Sequence, residues 1–310
     1  MMRRLSVSSA LPWVALITVW ILWGSTYLGI RVAVETIPPF LMAGVRYIIA
    51  GSILTGAMLL WKRDLLAQLR APQWRSLTMT AFLLLGIGNG LLCYAEMTVQ
   101  SGVAAIVVAT VPIWMVIIAA VVSRTGITLG SAIGLGLGTI GIAALAGVPG
   151  GGVPLVPTLM MLVGSFSWAL GSVYARRHAD LRANPLIPAL EMFTGGIILT
   201  IMGTLTGELN HLNLHAITPA SIGGFLWLVG PGALVGYTAY NYAVRKLPTH
   251  IVATYGYVNP IVAVALGAWL LYEPITLNVI LGGAAIVLAV VAILKSPAKV
   301  KREAKGQLAA

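Results

Sequence analysis

The chain has 310 residues, 59% of them hydrophobic and only 9% charged, with a mean hydropathy of +0.95. A soluble domain carries about 25% charged residues, so this composition excludes a water-soluble surface. The formal net charge of +11 does not mark a nucleic-acid binder, because nearly all the basic residues lie in short breaks between apolar runs, where they orient membrane helices. The single cysteine, Cys93, excludes a disulfide framework and a Cys-based metal cluster.

A membrane-spanning helix needs about 20 apolar residues. In chain order the sequence predicts ten: 12–34, 39–61, 77–97, 102–123, 127–147, 156–176, 186–206, 219–243, 250–272 and 275–295. The first follows Arg3 and Arg4 and imitates a signal peptide. Its apolar run outlasts an h-region of roughly 7–15 residues and meets no small-residue cleavage site, so it reads as a span.

The breaks alternate in charge. On one side fall Arg3, Arg4, Lys62, Arg63, Arg70, Arg75, Arg124, Arg176, Arg177, Arg182, Arg245, Lys246 and the basic tail from Lys295 to Lys305. The other side holds Glu35, Glu96, Glu208 and Glu273, with His211 and His215. Of 19 basic residues only Arg31 and Arg46 depart from this pattern. The positive-inside rule then puts both termini in the cytoplasm.

The stretch Cys93–Ile127 recurs without a gap: Tyr94-Ala95 as Tyr242-Ala243, Ala105 as Ala253, Pro112-Ile113 as Pro260-Ile261, and Ile127-Thr128 as Ile275-Thr276. The expected units are 1–148 and 149–310, each with five spans. Five is odd, so the second unit must be inserted upside down. The expected fold is an all-α membrane protein of ten transmembrane helices in two inverted five-helix repeats, an arrangement that places a substrate site near the bilayer midplane between the repeats.

Pro112 and Pro260 occupy matching places in the fourth and ninth segments. A proline inside a helix removes a hydrogen bond and kinks it, and the matched placement favours a paired hinge over two tolerated kinks. Asn89 and Cys93, four apart, share one face of the third segment; Tyr237 and Asn241 are their counterparts in the eighth, with Tyr240 alongside. Polar groups in hydrocarbon need partners or water, so this stripe faces either protein or a cavity. Trp23, Tyr27, Trp114, Trp168, Ser172, Tyr255 and Asn259 complete a candidate substrate lining; Trp13, Trp61, Trp74 and Trp269 suit the interfacial belt.

Arg46 and Glu191 are charges inside spans, costly and by default functional candidates. Arg46 could pair with Glu96, attract a carboxylate or snorkel outward; for Glu191 the safer expectation is an ion pair with a loop arginine. Gly136-Leu137-Gly138-Thr139-Ile140-Gly141 matches a dinucleotide fingerprint, but it lies in an apolar helix without the strand the motif requires. Gly130, Gly134 and Gly138 instead give a small-residue packing face. His211 and His215 stand in a polar loop with no further ligand, so no metal is expected.

The run WGSTYLGIRVA (Trp23–Ala33) with PPFLMAGVRY (Pro38–Tyr47), its partner SWALGSVYARR (Ser167–Arg177), and the segment Val258–Ile293 containing Glu273 resemble the drug/metabolite transporter superfamily, EamA type. The first repeat departs from it by carrying Arg124-Thr125 where Tyr272-Glu273 stand in the second. The resemblance implies efflux of small metabolites, often amino acids; an inner-membrane carrier without a cofactor is expected, and a monomer is one option for an oligomeric state that the sequence does not fix. The expected partners are a small-molecule substrate and the lipid bilayer, with no nucleic acid. Drug or sugar export is the nearest alternative. A membrane-embedded enzyme would need acids, histidines or a nucleophile converging in the bilayer.

Overall fold

The computed structural model describes residues 10–123, 128–146, 154–178, 184–247, 249–252 and 254–295. Among the described residues there are helices and turns and no strand. Among these residues seven helical stretches are long and apolar enough to cross a bilayer, one of them (Ser101–Val122) made of two consecutive helices, and three shorter helices are apolar. The chain is an all-α, multi-pass membrane protein.

The helices in order are α1 (Leu11–Ala33), α2 (Pro39–Trp61), α3 (Ala71–Ala95), α4 (Ser101–Val108), α5 (Val111–Ser123), α6 (Leu129–Ala146), α7 (Leu155–Arg177), α8 (Ile187–Leu205), α9 (Pro219–Tyr240, continuing as helix to Lys246), α10 (Tyr255–Leu270) and α11 (Leu277–Lys295). Pro12, Pro39, Pro72, Pro188 and Pro219 stand in first turns. There the missing N–H costs nothing and the fixed φ suits the helix.

Three features differ from the hydropathy reading. Helix α3 begins six residues before its apolar run, since Pro72 starts it and the Gln73 side chain accepts from Arg70 N at 2.8 Å; capping, not hydrophobicity, sets that end. The fourth segment breaks at Ala109–Thr110, so Pro112 is the second residue of α5 and does not interrupt a helix, whereas Pro260 does lie inside α10. Third, α3 and α9 each widen into eight π-helical residues, Phe82–Asn89 and Leu228–Val235. These wide turns fall at nearly matching places in the two halves and coincide with Gly86-x-Gly88 and Gly230-Pro231-Gly232.

Packing between the halves comes in matched pairs. Helix α2 lies on α8, and α6 on α11; α1 packs on α9 and α10, and α7 correspondingly on α3 and on α4 with α5. The α2–α8 seam is backbone against backbone: a Cβ on Gly196 would lie 2.6 Å from Ile48 N, and one on Gly51 2.5 Å from Phe193 N. Small residues permit this approach, which supplies the close packing that replaces the hydrophobic effect in lipid. Gly141 does the same for α6 against α11, where a Cβ would sit 2.9 Å from Gly282 O. Gly138 meets Ile113, but Gly136 faces open space, so only part of the glycine run packs. That run lies within α6, as a packing face and not a nucleotide loop would.

Candidate functional site

Helix direction sorts the charges to two ends. The ends of α1, α3, α8 and α10 carry Glu35, Glu96, Glu208 and Glu273; the opposite end carries Lys62, Arg63, Arg70, Arg177, Lys246 and Lys295.

Two acids of the second half tie down helix starts of the first. Glu208 accepts from Phe40 N (3.1 Å) and Leu41 N (2.9 Å) at the start of α2. Glu273 accepts from Ser101 N (2.8 Å), Ser101 Oγ (3.0 Å) and Gly102 N (3.2 Å) at the start of α4. The first N–H groups of a helix lack intrahelical partners and carry the positive end of its dipole, so an acid is the group that suits them. The route to α4 is narrow. Tyr272 turns back at φ 53°, the one non-glycine residue with positive φ among those described, and a Cβ at Gly267 would collide with the Glu273 carboxylate. These contacts tie the second half to the first at the acidic end.

Below them lies a buried polar centre. Arg46, 3% exposed, donates through Nη2 to Asn89 Oδ1 at 2.6 Å and to the Tyr47 hydroxyl at 3.2 Å, and its guanidinium carbon sits 4.5 Å from the centre of the Tyr47 ring. Cys93 Sγ lies 4.0 Å from the same Nη2 and 3.4 Å from Asn89 Oδ1. Asn89 and Cys93 therefore face the α2 arginine and not open space. Arg46 neither snorkels nor hydrogen-bonds to Glu96. Among the described residues its Nε has no hydrogen-bond partner, and neither has either carboxylate oxygen of Glu96, which is 0% exposed. The burial of Glu96 escaped the hydropathy reading because it stands at a helix end, where acids are usually wet.

A second, aromatic centre joins α1, α9 and α10. The Trp23 ring lies 4.9 Å from Tyr240 and 5.3 Å from Tyr255, and the two tyrosines are 5.9 Å apart edge-on. Tyr27, one turn above Trp23, packs with Tyr47 against the core that holds Cys93, between the two centres. Asn259 is buried; with its amide turned to donate, its nitrogen reaches Tyr255 O at 3.2 Å and Trp20 O at 3.3 Å, which makes it a tie between α1 and α10. Trp168 packs at the α3 wide turn, with its Cε3 3.1 Å from a Cβ built on Gly88. Ser172 Oγ donates to Trp168 O at 2.8 Å, within its own helix. Trp114 stacks edge-on to Phe166 at 5.6 Å, its indole Nε1 buried without a partner. Tyr237 is half-buried on α9; the Asn241 side chain lies outside the described residues. The candidate lining is thus two connected clusters plus a separate α7 group, not one ring.

Glu191 accepts from Thr80 Oγ1 at 2.7 Å. Among the described residues its partner is this α3 hydroxyl, not the expected loop arginine; Arg182 lies outside them. Toward the basic end a groove of about 580 Å³ opens between α1, α2 and α9, lined by Val14, Thr18, Leu54, Leu234, Thr238 and Tyr242 among others.

The EamA-like transporter family matches residues 11–147 and again 156–295. The chain is 38% identical over 265 residues to the "Uncharacterized inner membrane transporter YedA" of Escherichia coli (strain K12), covering 83% of this chain and 81% of that protein. It is 23% identical over 294 residues to the "Probable amino-acid metabolite efflux pump" of Salmonella typhimurium (strain LT2), covering 92% and 95%. One solved structure superposes with a TM-score of 0.63 at 18% identity over 92% of this chain and 96% of its own, a likeness of fold alone.

Proposed function

The chain belongs to the EamA-like transporter family, a family of membrane carriers for small molecules, and from that premise we propose that it exports small amphiphilic metabolites, amino acids foremost, across the bacterial inner membrane by alternating access. The ten segments work as two inverted five-helix repeats, 1–148 and 149–310, with both termini cytoplasmic. The observation that carries this reading is the matched packing between halves. Trp23 of the first half covers Gly236 at the α9 wide turn, and Trp168 of the second covers Gly88 at the α3 wide turn. Such a pseudo-twofold interface can rock about its axis around a central site. Helical irregularity at membrane depth is tolerated where neighbouring protein or a cavity satisfies it, and π-helical turns cluster at functional sites.

With Glu208 and Glu273 holding α2 and α4, we read this as a state closed toward the acidic end, which the proposed orientation makes extracytoplasmic, with the α1–α2–α9 groove toward the other side. Support for amino acids comes from the pairing of an aromatic centre with a buried charged one, which suits a solute with an apolar side chain and a charged head, and from the printed name of the Salmonella relative.

The test is counterflow. Purified protein in liposomes is preloaded with one unlabelled solute and given its labelled form. Counterflow of L-phenylalanine or L-leucine is the expected result. Counterflow of a hexose or a lipophilic cation, with none of either amino acid, would replace amino-acid export by sugar or drug export.

A further inference from the structure

We propose that Arg46 and Glu96 are the two jaws of a zwitterion clamp, Arg46 taking the α-carboxylate and Glu96 the α-ammonium of the transported amino acid. The inference rests on the amino-acid reading above and assigns the atoms that recognise what all amino acids share.

Asn89, Cys93 and Glu96 are spaced four and three apart at the end of α3, so they follow one another along a single face. Arg46 reaches that face from α2, bonded to Asn89 and touching Cys93. Glu96 is the next group along it, about 4.5 Å further than Cys93 at 1.5 Å rise per residue. Asn89 and the Tyr47 ring hold the guanidinium back from the carboxylate. An arginine and a carboxyl group are therefore buried on one face without hydrogen-bonding each other.

The unmet groups are complementary to one ligand. Arg46 keeps Nε as a free donor, and Glu96 keeps two free acceptors. A buried polar group left unsatisfied costs about 1–3 kcal/mol, and a ligand carrying the matching groups would recover that cost. An ammonium and a carboxylate hung on the same carbon would do so. The side chains of the nearest other charged groups bond elsewhere: Arg31 of α1 donates to Met97 O at 3.4 Å, and Glu273 holds the start of α4. Tyr27 and Tyr47 are the aromatic rings packed against the core around Cys93, on the same side of the molecule.

The experiment measures counterflow by the wild-type protein, and by Arg46→Gln and Glu96→Gln, with three probes: L-phenylalanine, L-phenylalaninamide (no carboxylate) and 3-phenylpropionate (no ammonium). The wild type should favour L-phenylalanine over each analogue by about tenfold or more, as loss of one buried charge partner implies. Arg46→Gln should erase the preference over the amide but keep that over 3-phenylpropionate, and Glu96→Gln should do the reverse. This crossed pattern cannot arise from misfolding, which lowers all three rates together. L-phenylalanine counterflow with unchanged preferences in both variants would overturn the clamp and leave amino-acid export standing. Should neither variant fold, the wild type decides: equal transport of L-phenylalanine and either analogue overturns the clamp. Absence of wild-type counterflow with L-phenylalanine and L-leucine alike overturns the amino-acid reading and the clamp with it.

Discussion

The indole of Trp23 occupies the space a side chain at position 236 would need: a Cβ built on Gly236 would lie 2.7 Å from Trp23 Nε1. Trp168 stands in the same relation to Gly88, at 3.1 Å from Cε3, so each half presses one tryptophan onto the glycine just beyond, or within, the other half's wide turn.

The two glycines should respond differently to alanine. In a helix, alanine is worth about 1 kcal/mol over glycine, and this gain opposes the crowding. At Gly88 a shift of a few tenths of an ångström suffices, so Gly88→Ala should be close to neutral in thermal melting. At Gly236 the clash is severe and Trp23 is held by Tyr240 and Tyr255. Gly236→Ala should therefore destabilise by about 1–3 kcal/mol and slow transport. A Gly236→Ala protein that melts at or above the wild-type temperature would show that the tryptophan is loosely seated.

Glu208→Gln and Glu273→Gln remove the charge that holds the starts of α2 and α4. Each should weaken the closed acidic end by about 0.5–2 kcal/mol, the range for losing a helix cap. Cys93 is the only cysteine and is fully buried, which makes it a native reporter. Its reaction with a small membrane-impermeant thiol reagent added from the acidic side should be slow in the wild type and faster in both variants. Equal rates in all three proteins would mean that these contacts do not gate that end.

The two prolines, matched in sequence, are not matched in structure. Pro112 opens α5, where proline is well tolerated, so Pro112→Ala should leave stability nearly unchanged. Pro260 lies within α10, and Pro260→Ala restores a donor and relieves a clash with the preceding turn. It should raise thermal stability while slowing exchange, if the α10 bend is used during transport. Wild-type exchange in a stabilised Pro260→Ala protein would leave the bend as packing alone, and a strong loss in Pro112→Ala would restore the paired hinge.

In a Cys93→Ser background, a cysteine at Arg70 should be shielded from an impermeant reagent in intact cells, and one at Asn213 should react; both sites are exposed on their loops. The reverse pattern would invert the proposed orientation.

What could be read from the sequence follows from what hydropathy and duplication encode. Apolar length locates the spans to within a few residues, and the recurrence of Tyr94-Ala95 as Tyr242-Ala243 exposes the two halves. The intramembrane charge of Arg46 is likewise visible, as is the shared face of Asn89 and Cys93 by helical spacing, but not the meeting of the two. Less was legible where the decisive contact joins distant residues. Glu273 reads as one more loop acid until it meets Ser101, and Glu96, at a helix end, reads as wet although it is fully buried. The wide turns leave only glycine as a trace, and glycine has many uses. Pro112 misled because identical placement in two repeats does not fix where each helix breaks.

The central claim is that one site is offered alternately to the two sides, and trans-stimulation tests it most directly. Labelled L-phenylalanine is given to proteoliposomes that contain either buffer or unlabelled L-phenylalanine. Alternating access predicts faster initial entry into the preloaded vesicles, since a returning loaded carrier replaces a returning empty one. Equal entry rates, proportional to outside concentration without saturation, would contradict it and mark the protein as a pore.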